Sequence, residues 1–126
     1  MREAVLKKEK TIPWLSGLAK EWVLIAPSKR GGDVLFKEVD SVEEVCLDYT
    51  NSTTSVKEFF FPQWEPIIHY SDRGKNWEFA GRGDERRLFF GIRPCDVHGL
   101  LLLDKVFSEG TEDPYWTRRR RSTLIV

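Results

Sequence analysis

The sequence predicts an α/β domain: an irregular α+β amino-terminal part containing a hairpin, followed by a parallel βαβ unit at the carboxyl end. Three observations predict it. Apolar, β-favouring runs at residues 22–26 (WVLIA) and 88–92 (LFFGI) are bounded by proline or charge. Two helical patterns then follow, one from Asp96 and one opening at Asp113-Pro114. A further strand-like run, residues 123–126 (TLIV), comes after them, and strand–helix–helix–strand is a crossover that implies a parallel pair.

Each element has its own justification. Thr11-Ile12-Pro13 predicts a helix start, with Thr as cap and Pro in the first turn. Trp14, Leu15, Leu18 and Ala19 follow at helical spacing, so a short amphipathic helix is expected to about Glu21. Residues 22–26 are expected as a buried strand ending at Pro27. The turn Lys29-Arg30-Gly31-Gly32-Asp33 leads to Val34, Phe36 and, less regularly, Val39, which predicts a β-hairpin. Ser41-Val42-Glu43-Glu44 fits a capping box, and the helix it opens is short because residues 49–55 (YTNSTTS) are polar and turn-prone. A strand is expected after Pro66. Residues 71–85, polar apart from Trp77 and Phe79, are expected as an exposed excursion or hairpin.

The last forty residues are the most ordered in pattern. After the strand at 88–92, Val97, Leu100, Leu101 and Asp104 lead a helix on to Val106 and Phe107, with the Asp96 carboxylate facing the N-terminal dipole. Asp113 caps the next helix with Pro114 at its first position, and four arginines, Arg118 to Arg121, sit near its C-terminal end. Residues 123–126 read as a would-be central strand, so the chain is expected to continue past them.

Composition narrows the classes. A chain of 126 residues fits one domain and can bury a core without staples. Hydrophobic residues make up 40% and charged residues 32%, a globular balance. Twenty basic and twenty acidic residues cancel, against a nucleic-acid binder that relies on net charge. No undivided apolar run, the four leucines Leu100 to Leu103 included, approaches the length of a membrane span, so none is expected. The start, MREAVLKKEK, has no apolar h-region, which points to a cytoplasmic protein. Cys46 and Cys95 are too few for a disulfide framework and are expected as thiols. Five Trp and eight Phe fit either a Trp-rich core or a subunit contact surface.

Cys95 is the residue with the clearest chemical potential. It follows a strand and opens a helix, the place where ligands bind in open α/β sheets. A helix N-terminus favours a thiolate, the form that binds metal or reacts. One cysteine makes no metal site, since iron–sulfur clusters are usually held by four thiolates. Cys95-x-x-His98 is half of a zinc pattern with no second half after it, and Cys46, following Val45, is expected in the core. The arginine run is expected as a solvated helix end, with a partner or anionic contact left open. Gly81-Arg82-Gly83 lacks the strand-before, helix-after context of a dinucleotide loop. Asp96 and His98 do not share a helix face, so they are not paired for acid–base work.

Residues 89–107, FFGIRPCDVHGLLLLDKVF, resemble the β subunits of soluble sulfhydrogenases and the A subunits of anaerobic sulfite reductases, one family of four-iron ferredoxin-like electron carriers. The match is a strand ending in G-[IV]-R-P-C-D, then a helix of the form H-[AG]-L-x-x-L-D. Residues 57–67 (KEFFFPQWEPI), 113–119 (DPYWTRR) and 122–126 (STLIV) fit in the same order. The resemblance implies that residues 1–126 are a single N-terminal domain of a longer iron–sulfur subunit whose cluster-binding C-terminal regions lie beyond it. It implies that Cys95 ligates a [4Fe–4S] cluster together with downstream cysteines, and that this stretch alone binds none. Arg93, by the same resemblance, offsets cluster charge or meets a partner, and Asp96 holds the loop by hydrogen bonds to the backbone.

The function so implied is electron transfer between a flavin/nicotinamide-binding subunit and a hydrogenase or sulfite reductase catalytic subunit, with no catalytic residue in this chain. The competing expectation is a metal-free binding or scaffolding domain from a split or truncated gene. A thiol enzyme using Cys95 lacks an identifiable base.

Overall fold

The computed structural model describes residues 5–71, 76–80 and 85–126. Helix α1 (Lys8–Leu18) precedes β1 (Val23–Arg30) and β2 (Asp33–Glu38). Short 3-10 turns at Val42–Glu44 and Val56–Phe59 lead to β3 (Ile68–Tyr70) and β4 (Trp77–Phe79). The chain then forms β5 (Arg87–Phe89), α2 (Pro94–Ser108), α3 (Pro114–Arg121) and β6 (Thr123–Ile125). The main sheet has the order β2-β1-β5-β6, and β3 and β4 form a separate antiparallel pair. Strand β1 is parallel to β5 and antiparallel to β2, while β5 is parallel to β6. The expected α/β class, the amino-terminal hairpin and the parallel crossover are therefore all present.

Two faces of the sheet are buried separately, as strand alternation dictates. Leu24, Ala26 and Leu88 point to one side, where they pack with Leu15 of α1, Val39 and Val45. Ile25 and Phe89 point to the other and meet Phe36, Val56, Phe60, Leu100 of α2 and Trp116 of α3. The result is three layers, with α1 on one face and α2, α3 and the second 3-10 turn on the other. Along α2 the inward residues are Leu100, Leu103 and Phe107, at helical spacing, while Leu101, Leu102 and Val106 stay exposed.

Several boundaries differ from expectation for identifiable reasons. Helix α1 begins at Lys8, so Thr11 is inside it and Pro13 interrupts its interior. Its buried side is Ile12, Leu15 and Leu18, while Trp14 and Ala19 face outward. Strand β1 does not stop at Pro27 but runs to Arg30. Pro27 lies opposite Phe36. Its carbonyl accepts from Cys46 N–H at 2.7 Å, and Phe36 N–H donates to Thr54 Oγ1 at 3.1 Å. Both groups thus turn away from the β1–β2 ladder, and a residue without an N–H costs that ladder nothing there.

The capping-box segment is one 3-10 turn, with the Glu44 carboxylate accepting from Ser41 N–H at 3.3 Å. Helix α2 opens at Pro94, two residues earlier than expected, and Asp113 caps α3 by accepting from Trp116 N–H at 2.8 Å. Strand β6, expected to be central, is an edge of the four-stranded sheet. Of the expected excursion at 71–85, β4 pairs with β3, while residues 72–75 and 81–84 lie outside the described residues.

Only half of the arginine run of α3 is a solvated end. Arg119 is buried, donating to the Phe60 carbonyl at 2.9 Å and pairing with Glu65. Arg120 makes a two-point contact with Asp104 at 2.8 and 2.9 Å, and Asp104 also accepts from Trp116 Nε1 at 2.9 Å. These bonds hold the Asp104 carboxyl below its ordinary pKa, the Arg120 hydrogen bond having the largest effect. Arg118 and Arg121 face outward.

Aromatic residues split between core and surface. Phe36, Phe60, Phe89 and Trp116 are buried, while Phe61, Trp64, Tyr70 and Trp77 are exposed. Phe60 stacks on Phe89 with ring centroids 4.9 Å apart. Phe60→Ala should therefore cost about 3–5 kcal/mol in urea unfolding. Phe61→Ala, at a site 58% exposed, should cost about 1 kcal/mol or less. Equal losses at the two positions would contradict this core.

Candidate functional site

Strand β5 ends at Phe89, and the chain must turn sharply to enter α2. Gly91 makes the turn with φ +79, a left-handed conformation that side-chain-bearing residues rarely adopt. A Cβ there would sit 3.6 Å from the Pro27 ring and 3.9 Å from Tyr49 Oη, ordinary contact distances, so it is the backbone conformation that calls for glycine. Pro94 then takes the first helical position, where a missing N–H is harmless. Arg93 supplies the carbonyl that accepts from Asp96 N–H at 3.0 Å and Val97 N–H at 3.1 Å. Cys95 follows in the first turn of α2, exposed, at the carboxyl end of the parallel strands.

The loop is braced by Tyr49. Its phenol donates to the Gly91 carbonyl, and its own carbonyl accepts from Arg93 Nη2. The Arg93 guanidinium also lies over the Tyr49 ring, 4.4 Å from the centroid. Arg93 Nε is buried and has no hydrogen-bond partner among the described residues. Burial pushes the Tyr49 phenol above its ordinary pKa, Arg93 opposes that rise, and the Asp96 and Cys46 charges add to it.

The sequence-derived residues occupy different roles in this arrangement. Cys95 stands free of the core and open to solvent. Arg93 is engaged with Tyr49, half-buried, and fixes the loop. Asp96 lies in the first turn near Tyr49, and the hydrogen bonds that brace the loop come from Tyr49 and Arg93. His98 is exposed one turn beyond Cys95. Cys46, expected in the core, is half-buried, with its thiol donating to the Asp48 carbonyl at 3.3 Å. It belongs to the same end of the sheet because its N–H bonds to Pro27, the residue packed against Gly91. Tyr49 was missed because it opens a polar run. Its signal was the one large aromatic within residues 49–55.

The donor set can be tested against a four-iron cluster. Such a cluster takes four thiolates, and the chain has two cysteines. Among the described residues, no group of three or more His, Cys, Asp or Glu could hold a metal ion. These residues alone therefore do not fit a complete cluster site, though an exposed thiol at a helix start is free to contribute one ligand.

Sulfhydrogenase 2 subunit beta of Pyrococcus furiosus is 32% identical to this chain over 126 residues, which is all of this chain and 37% of that relative. The chain is related along its whole length to part of a sulfhydrogenase beta subunit. It spans little more than a third of that relative's length. No family model and no solved structure matches it. No helix among the described residues is long and apolar enough to cross a membrane.

The Tyr49 brace has a pH signature. A raised phenol pKa means the folded protein holds this proton more tightly than the unfolded chain does. Its stabilisation is intact below the ordinary tyrosine pKa of about 10 and is lost as pH rises through the folded value. Tyr49→Phe keeps the ring beneath Arg93 but removes the bond to Gly91, at a cost of about 1 kcal/mol. In urea unfolding followed above about pH 10, the variant should lose stability less steeply than the wild type. Identical slopes would exclude Tyr49 as the titrating group.

Proposed function

We propose that this chain is the amino-terminal domain of an iron–sulfur electron-transfer subunit in a cytoplasmic hydrogenase-type complex. The observation that carries this reading is the match, along all of this chain, to part of a protein named as a sulfhydrogenase beta subunit. The position of Cys95 supports it: an exposed thiol at the carboxyl end of the parallel strands, where an α/β sheet offers its ligand site. In this proposal Cys95 supplies one thiolate to a [4Fe–4S] cluster, and the other thiolates come from outside these 126 residues. Arg93, with Tyr49, holds the Gly91 turn so that Cys95 projects from a fixed helix start. The positive charge of Arg93 lies on the side where an anionic cluster would sit, and Asp96 lies in the same first turn.

Electrons would pass between a flavin- or nicotinamide-binding subunit and a catalytic subunit, and the domain itself has no catalytic step. A sulfite reductase complex is the related alternative for the catalytic subunit. Exposed Trp64, Ile67, Ile68 and Tyr70 beside the β3–β4 pair give the apolar area that subunit contact requires. A second reading, a metal-free binding or scaffolding domain, draws on the presence of two cysteines against the four a cluster needs.

Anaerobic reconstitution with iron and sulfide, on the longest polypeptide that carries this domain, separates the two readings. The expected result is a visible iron–sulfur absorption, with one cluster's worth of iron and sulfide lost in Cys95→Ser and no change in Cys46→Ala. Unchanged iron, sulfide and absorption in Cys95→Ser would remove Cys95 from the ligand set and leave the metal-free reading for this domain.

A further inference from the structure

The four consecutive arginines of α3 are divided by the helix. Arg119 and Arg120 turn inward to Glu65 and Asp104, while Arg118 and Arg121, three residues apart, share the outer face. That face, together with Pro114 and Thr117 earlier on the same helix, forms one wall of a cleft of about 720 Å³. The opposite wall is Trp22 and Arg86, at the amino ends of β1 and β5. The Arg86 guanidinium lies over the Trp22 ring, 5.5 Å from its centroid, which orients it. The cleft is thus at the end of the sheet opposite Cys95 and is independent of the cluster reading.

Its electrostatics are unbalanced. Among the described residues three guanidiniums line it, and the one carboxylate, Glu112, is 3.7 Å from Arg121 and accepts from Thr117 Oγ1 at 2.8 Å. Neither Arg86 nor Arg118 has a carboxylate within ion-pairing distance among the described residues. Like charges lining one cleft repel, and a bound anion relieves that repulsion. Guanidinium groups recognise phosphate oxygens through paired N–H donors. The volume falls within the range of about 300–1,000 Å³ typical of small-molecule sites.

We propose that this cleft binds a small molecule bearing a pyrophosphate group, held by Arg86, Arg118 and Arg121. The net neutrality of the chain does not oppose this, because the charge excess is local. Thr117 and Ser122 also line the cleft, their hydroxyls donating to the Glu112 carboxylate and to the Arg118 and Arg119 carbonyls.

Calorimetric titration of the full chain with inorganic pyrophosphate, ADP and adenosine tests the proposal. Pyrophosphate and ADP should bind and compete for one site, and adenosine should not bind. The double variant Arg118→Gln/Arg121→Gln should weaken both anions about tenfold or more, while Lys57→Gln, outside the cleft, should leave them unchanged. Should the double variant lose its thermal transition, Arg86→Gln, which lies off α3, gives the same test. Absence of binding by both anions would overturn the proposal, as would equal affinity in the cleft variants or adenosine binding as tightly as ADP. A glutamate-rich peptide that binds here and is not displaced by pyrophosphate would also overturn it, and would assign the cleft to an acidic protein surface.

Discussion

Phe89 closes β5 with its ring between those of Phe59 and Phe60, at centroid separations of 5.6 and 4.9 Å. Phe60 in turn meets Trp116 of α3 at 6.1 Å, and Trp116 stacks on Phe107 of α2 at 4.9 Å. This chain of rings joins the sheet, the second 3-10 turn and both carboxyl-terminal helices into one apolar layer. Aromatic contacts at these distances add to the large area each ring removes from water. The layer also holds α2 against the sheet through Leu100, Leu103 and Phe107.

Arginines align that apolar layer. Arg119 spans from α3 to the Phe60 carbonyl and Glu65, and Arg87 donates to the Phe59 carbonyl at 3.2 Å. Both therefore satisfy carbonyls of a segment with little regular hydrogen bonding of its own. Arg120 and Asp104 tie α3 to α2 in the same way. The carboxyl end of the sheet repeats the device, with Arg93 and Tyr49 bracing the Gly91 turn. At the amino end, Arg86, Arg118 and Arg121 have no such inward role. The two ends of one small sheet are therefore chemically distinct, a thiol-bearing turn at one and a basic cleft at the other.

Much of this was legible from residue order. The capping residues Ser41 and Asp113, the hairpin glycines and the proline at the start of α3 act through local geometry, which a sequence carries directly. Pro27 misled because its effect depends on which way its neighbours' N–H groups point, a property of strand pairing. Thr11-Ile12-Pro13 misled for a related reason: a helix packed through Ile12, Leu15 and Leu18 tolerates a proline that an isolated one would place at its start. The arginine run looked solvated because charge is read from the chain alone, whereas Arg119 finds Glu65 fifty-four residues away.

The sequence by itself determined the α/β class, the crossover from β5 to β6 and the placement of Cys95 at a helix start, because each follows from hydrophobic period and local stops. It also carried the R-P-C-D motif, residues 93–96, on which the resemblance to a family rests. Only the tertiary structure decided that β1 runs parallel to β5, that Tyr49 braces the Arg93 loop, and that Arg118 and Arg121 meet Arg86 across a cleft. Those outcomes depend on contacts between residues far apart in the chain, and such pairings are selected by the packing of whole faces. No local pattern encodes them.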